Sequence, residues 1–393
     1  MKRFLFLALV AVLAIGLLAC STPAGQTSQA PASSAAASSD AAPASQATTS
    51  AASEHKVIGF YKDAADDYYK CITDTLFGLV AQDPDIDWEI IDKTGQGTAP
   101  EQIAAVEDFI TTGVDAMLIV ENSPQAAEEC ISKANAANIP YFAVTHLPSV
   151  PAGGELAGFV GYDFEKMGEL NGESAVENDV SKVIMIEGKL GQGTAGAFTL
   201  GFLTSYTNAG KDIGGTAEDV AANKTTGGKD LQIVYWGSGG WFADPAKKAM
   251  TDAITSLGPQ GFDGAYVENN EMMDGAIQAI QESGLNPSDY WLGSCNGKEK
   301  SWQWVRDGLE TMDINQTPAL EAEAVYQQLK AYFAGEDYRK YLHPYVTPFN
   351  KDNIDSLTLV PFVAEDYLAQ RENFVTDIND PKWTDATAHI MFK

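Results

Sequence analysis

The chain has 393 residues, 45% of them hydrophobic and 10% aromatic, enough apolar material for two core-bearing lobes and too much for a disordered protein. Its formal net charge is -29, with 54 acidic residues against 25 basic ones. So acidic a surface lacks the basic footprint that nucleic-acid binding requires, and it reads as a solubility feature.

In chain order, Lys2 and Arg3 precede the apolar run Phe4 to Ala19, which is short for a membrane span. The run ends Leu17-Leu18-Ala19-Cys20, which resembles a bacterial lipobox. The resemblance implies a signal peptide over 1–20, cleavage before Cys20 and a diacylglycerol anchor on its sulfur, at the outer face of a membrane. Residues 21–55 are almost wholly Ser, Ala, Thr, Pro, Gln and Gly and read as a disordered tether reaching about 30 Å.

Val57 to Tyr61 reads as the first strand, and a helix from about Tyr68 to Ala81 follows, with Asp66 or Asp67 as its cap. Trp88 to Asp92 is the second strand. In Glu101 to His146, Ile103, Val106, Phe109 and Ile110 recur at helical spacing until Gly113 stops the helix. Ala116 to Val120 is an unbroken apolar run, as a strand buried on both faces requires. A helix over about 124–137 and the strand Tyr141 to Val144 complete the pattern, and Phe159 to Asp163 closes the first series.

A second series follows. Its strands are Val183 to Glu187, Leu231 to Tyr235, Gly264 to Val267, Tyr290 to Gly293 and Glu310 to Asp313, separated by helices. The last helix, about Leu320 to Ala334, most easily covers the first lobe, so the chain must cross between lobes more than once. The fold class is therefore α/β, with two doubly wound parallel-sheet lobes joined by a multi-crossing hinge. The expected first lobe is 56–162 with 317–346, and the second is 163–316 with 347–393, including an extended tail that the fold does not require.

Three cysteines remain beyond Cys20. Cys71 and Cys130 fall on helices flanking opposite sheet faces, and with Cys295 the number is odd, so buried free thiols are expected. His55, His146, His343 and His389 are scattered, and no CxxC stands nearby; neither a metal site nor a catalytic triad is expected.

The stretches QIAAVEDFITTGVDAMLIVENSP, KANAANIPYFAVTH, VENNEMMDGAIQAIQESG, LGSCNGKE and INQTPALEAEAVYQQL, in that order, resemble the type I periplasmic sugar-binding proteins. These are the ribose- and galactose-binding class of ABC-transporter receptors, and the likeness spans roughly residues 56–350. It implies cleft positions at Tyr68 and Tyr69, Thr145 and His146, Trp241, Asn269, Asn296 and Gln316, with Asp66 beside them. Thr145-His146 stands where the family has an acidic residue and Arg, Asn296 replaces an Asp, and the loop 193–198 carries no clamp arginine. A site more neutral and more aromatic than a ribose site is expected. Rings there would cover an apolar C–H face, while amides would bond hydroxyls.

Gly191-Gln192-Gly193-Thr194-Ala195-Gly196 satisfies a dinucleotide fingerprint, but Tyr235-Trp236-Gly237 stands where its acidic ribose partner should be. No cofactor and no catalysis are expected. What the resemblance implies is a monomeric, lipid-anchored receptor that captures a small neutral sugar or polyol, such as a monosaccharide, and delivers it to an ABC permease. The alternative is a sensor whose closed form signals to a membrane kinase or chemoreceptor.

Overall fold

The computed structural model describes residues 54–225 and 227–393. The leader, Cys20 and the tether up to residue 53 lie outside them. The first lobe runs β1 (His55–Lys62), α1 (Asp67–Gln82), β2 (Asp87–Thr94), α2 (Ala99–Thr112), β3 (Ala116–Val120), α3 (Pro124–Ala136), β4 (Tyr141–Val144), β5 (Ser149–Val150) and β6 (Gly158–Val160). Local chemistry sets these bounds. The carboxylate of Asp66 and the hydroxyl of Ser123 cap α1 and α3, and Gly113 ends α2 in the left-handed conformation at φ 76°. Every residue of β3 is buried, because strands pair on both its sides and helices cover both its faces.

The second lobe runs α4 (Phe164–Glu177), β7 (Lys182–Glu187), α5 (Gly193–Asn208), α6 (Ala217–Asn223), β8 (Gln232–Ser238), α7 (Ala243–Leu257), β9 (Gly264–Val267), α8 (Asn270–Glu282), β10 (Trp291–Gly293), α9 (Glu299–Asp307) and β11 (Met312–Asn315). The helix α10 (Pro318–Ala334) then returns to the first lobe, where Ala319 to Leu329 join its core. Next come β12 (Tyr341–His343), β13 (Thr347–Asn350), α11 (Ala364–Ala369), β14 (Thr384–Asp385) and β15 (Met391–Phe392).

The two central sheets share one winding. The first contains the order β2-β1-β3-β4-β6 and the second β8-β7-β9-β10-β11, all parallel, so each reverses direction beside its own first strand. Such a reversal opens a crevice at the C-terminal strand ends. Cys71 and Cys130 lie in the cores on opposite faces of the first sheet, and they and Cys295 are buried free thiols.

Three details depart from the sequence reading. Strand β1 begins at His55, inside the expected tether. Strand β11 lies two residues later than expected, and Glu310 ahead of it accepts bonds from Ser294 and Ser301. The tail is the largest correction. Residues 347–359 do stay with the second lobe, where β13 pairs antiparallel with β11 and Phe349, Ile354 and Leu359 pack on Val305. From Val360 onward the chain returns to the first lobe. Val360, Phe362, Tyr367, Ile378 and Trp383 enter its core, β14 joins its sheet beside β12, and β15 pairs with β5. This extra crossing is tied to the β11 exit: Asn315 Nδ2 donates to the Val360 carbonyl at 2.9 Å, and Thr317 Oγ1 donates to that of Pro361 at 2.8 Å.

Candidate functional site

The loops after β1, β4, β8, β9, β10 and β11 face one cleft of about 290 Å³ between the lobes. Asp66, Tyr68, Tyr69, Thr145, His146, Trp241, Asn269, Asn296 and Gln316 all line it. That volume lies at the small end of ligand pockets, which run from about 300 Å³ upward.

On the first-lobe side, hydrogen bonds fix each polar side chain. Gln316 Nε2 donates to the Tyr68 hydroxyl at 2.9 Å, and that hydroxyl donates to Glu321 Oε2 at 3.1 Å. Thr145 Oγ1 donates to the same carboxyl oxygen at 3.0 Å. Glu321 sits in the first turn of α10, wholly buried, and burial pushes its carboxyl up to about 8 despite the Thr145 and Tyr68 bonds. Gln316 Oε1 is buried without a partner among the described residues, an acceptor left over on a cleft-lining side chain.

His146 lies 2.6 Å through Nδ1 from the Glu121 carbonyl, which can only accept, so Nδ1 carries the proton. Nε2 then offers its lone pair to the Tyr69 hydroxyl at 3.4 Å. Asp66 is largely committed elsewhere: Oδ1 accepts the Tyr69 amide at 3.0 Å as the cap of α1, and burial raises its carboxyl.

The second-lobe side presents rings and cap amides. Trp241 is held by its indole N–H, which donates to Gln192 Oε1 at 2.6 Å, and Phe164 meets Phe198 edge-on at 5.2 Å. Gly188 makes room for that indole: a Cβ there would stand 2.2 Å from the ring. Asn269 Oδ1 caps α8 by accepting the Met272 amide at 2.9 Å, while Nδ2 reaches the Trp241 carbonyl at 3.4 Å. Behind these groups, the buried Glu268 accepts the Gly188 amide at 2.7 Å and the Thr199 hydroxyl at 3.0 Å. Thr199 also reaches Glu187 Oε1 at 2.8 Å, so one hydroxyl serves two carboxyls, and burial raises that of Glu268 well above its usual range.

Three of these residues sit in left-handed backbone: Thr145 at φ 65°, Trp241 at 76° and Asn296 at 102°. For β-branched Thr and bulky Trp that conformation is costly, about 1–3 kcal/mol, and such strain concentrates at functional sites.

The cleft is more charged than expected. Asp67, Glu268, Glu271 and Lys298 also line it, together with Phe164, Phe198, Phe242 and Phe362. No arginine comes from the loop 193–198, but Lys298 enters from the loop after β10. It donates to Asp67 Oδ2 of the opposite lobe at 3.0 Å, pairs with Glu271 and lies 4.9 Å from the centre of the Phe362 ring. Burial works against its charge, yet Glu271 and Asp67 outweigh it and raise the ammonium; the same ion pair lowers Asp67. A sequence signal for Lys298 existed, since it stands two residues past Asn296 at the start of α9. Phe362 had none, because it arrives on the unanticipated return of the tail.

Residues 78–337 match the periplasmic binding protein domain. The chain is 25% identical over 332 residues to a xylitol-binding protein of Mycolicibacterium smegmatis, covering 83% of this chain and 84% of that one. It is 26% identical over 235 residues to a galactofuranose-binding protein of Escherichia coli, covering 58% and 68%. In fold it resembles a crystallised galactofuranose-binding protein, with a TM-score of 0.65 at 24% identity over 81% of this chain and 99% of that one. The arabinose ABC-transporter binding protein of Shewanella sp. ANA-3, bound to L-arabinofuranose, also scores 0.65, at 21% identity over 81% and 97%.

Proposed function

The chain belongs to the periplasmic binding protein domain family, and on that premise we propose that it captures a small neutral sugar or polyol in the interlobe cleft and hands it to an ABC permease. It binds its ligand without converting it. The observation that carries this reading is the convergence of nine side chains, from six separate strand ends, on one small cleft where rings, amides and hydroxyls stand beside a few charged groups. Trp241 and the Phe164–Phe198 pair would cover the C–H face, and Gln316, Asn269 and Asn296 would bond hydroxyls, with Tyr68, Tyr69, Thr145 and His146 opposite. The likeness to proteins named for xylitol and galactofuranose supports a polyol or a sugar. Closure on the ligand would bring both lobes onto it at once and present the closed surface to the permease. The protein would work as a monomer, with Cys20 lipidated and the tether keeping it near its transporter.

A thermal-shift screen of polyols, inositols, pentoses and hexoses, with nucleosides and amino acids as controls, tests the ligand class. Ligand at 100 times its dissociation constant should add about 2.7 kcal/mol of stability. A melt that moves only with nucleosides or amino acids overturns the reading.

A further inference from the structure

Two histidines 46 positions apart meet behind the hinge, away from the cleft lining. His343 ends β12 and is buried; its Nδ1 lies 2.6 Å from the Gly161 carbonyl, on the first crossing between lobes, and must donate to it. That bond leaves Nε2 with its lone pair outward, 2.7 Å from Nδ1 of the solvent-exposed His389 in the tail. Asp163 completes the group from the second lobe. Its Oδ1 is used up capping α4, accepting the Lys166 amide at 3.0 Å, while Oδ2 lies 4.0 Å from His389 Nδ1. The three ligand atoms all fall within 4.8 Å of one another, the one such trio among the described residues.

We propose that Asp163, His343 and His389 bind a divalent transition ion of the zinc class, which would pin the tail and the β12 exit to the start of α4. Two imidazoles and one carboxylate with an open fourth position form a tetrahedral ligand set that suits zinc better than magnesium or calcium, which prefer oxygen donors. The Gly161 carbonyl does what the outer partner of a metal-bound histidine does, fixing tautomer and ring orientation. Tetrahedral bonds of about 2.0–2.1 Å place ligand atoms about 3.3 Å apart. The trio therefore needs only a small adjustment, in which the exposed His389 swings and the proton it shares with His343 leaves. Glu165 and Asp385 stand close enough to act on the pair electrostatically, adding to a field that draws cations.

The test uses the purified protein without a polyhistidine tag. Titration with Co2+ should develop the visible absorption of a tetrahedral site, saturating at one ion per chain and abolished by Zn2+ but not by excess Mg2+. His343 is buried and its replacement endangers the fold, so His389→Ala and Asp163→Asn carry the test; the asparagine keeps the cap on α4. Each should weaken binding by about tenfold or more, with an unchanged circular dichroism spectrum. No saturable absorption in the parent protein, parent-like binding by both variants, or displacement by Mg2+ would each overturn the site.

Discussion

The two halves of the cleft are built on the same winding and do opposite things. The first-lobe half offers hydroxyls and an imidazole backed by buried glutamates with neutral partners: the Glu321 carboxyl accepts from Tyr68 and Thr145, while Glu121 holds His146 through its backbone carbonyl and its carboxyl accepts from Tyr141 and Gln102. The second-lobe half offers ring faces and cap amides. Its buried acids come in pairs joined by one hydroxyl, Glu187 with Glu268 through Thr199 and Glu310 with Asp313 through Ser301. One wall thus aims hydrogen-bonding edges and the other an apolar surface. A polyhydroxylated ring or chain has both kinds of surface, so closure between unlike walls satisfies it better than two copies of either.

The largest effect expected concerns the first wall's carboxyls. Burial raises Glu121 and Glu321 each to about 8, from an ordinary 4.5. A raised folded-state value means the native protein binds protons that the unfolded chain has released. Stability from these groups is therefore full below about pH 4.5 and lost as pH rises through about 8, by a few kcal/mol for each group. Melting temperature measured from pH 5 to pH 8 should fall, and Glu321→Gln with Glu121→Gln should flatten the slope. An unchanged slope in the double variant would show that the lone acids do not set the wall's energetics.

On the opposite wall, Trp241→Ala should weaken binding of whichever sugar or polyol the screen identifies by about 2 kcal/mol, roughly thirtyfold. Isothermal titration measures this, and an unchanged melting temperature separates it from unfolding. Gly188→Ala tests the same face indirectly. Its new methyl would meet the Trp241 ring at 2.2 Å, and overpacking of that kind costs about 1–3 kcal/mol, read as a lower melting temperature, a weaker affinity or both. Parent-like values of both would mean that the indole moves aside freely and does not form a wall.

The smallest effect should come from Lys298, which joins the walls. Its partner Asp67 is 69% exposed on its side chain, so Lys298→Met should change stability by under about 1 kcal/mol. The sharper readout is ionic strength: salt should weaken ligand binding in the parent protein and matter less in the variant, because the variant has no ion pair across the cleft mouth. Equal salt dependence in the two would remove Lys298 from the closing contact.

Legibility differed along the chain for physical reasons. The apolar run of β3 is readable because a strand covered on both faces tolerates little else. The glycine after α2 is readable because few other residues adopt its φ without strain. Thr145, Trp241 and Asn296 were found by likeness to a family, not by conformation: nothing in the identity of Thr145 or Trp241 announces left-handed backbone, which only Asn296, ahead of Gly297, is of a type to favour. The tail was opaque. Beyond the short α11, its buried residues, Ile378 and Trp383 among them, follow neither a helical nor a strand period, since they pack one at a time on a surface other segments have already built.

By itself the sequence determined two doubly wound lobes, their crossing hinge and the strand ends that bear the candidate residues. Those features follow from periodicity and from caps, which act over a few residues. Only the tertiary structure decided that the tail returns to the first lobe, that Phe362 and Lys298 enter the cleft, and that His343 and His389 meet. Each joins segments far apart in the chain, and such meetings depend on how whole sheets pack, which no local pattern encodes.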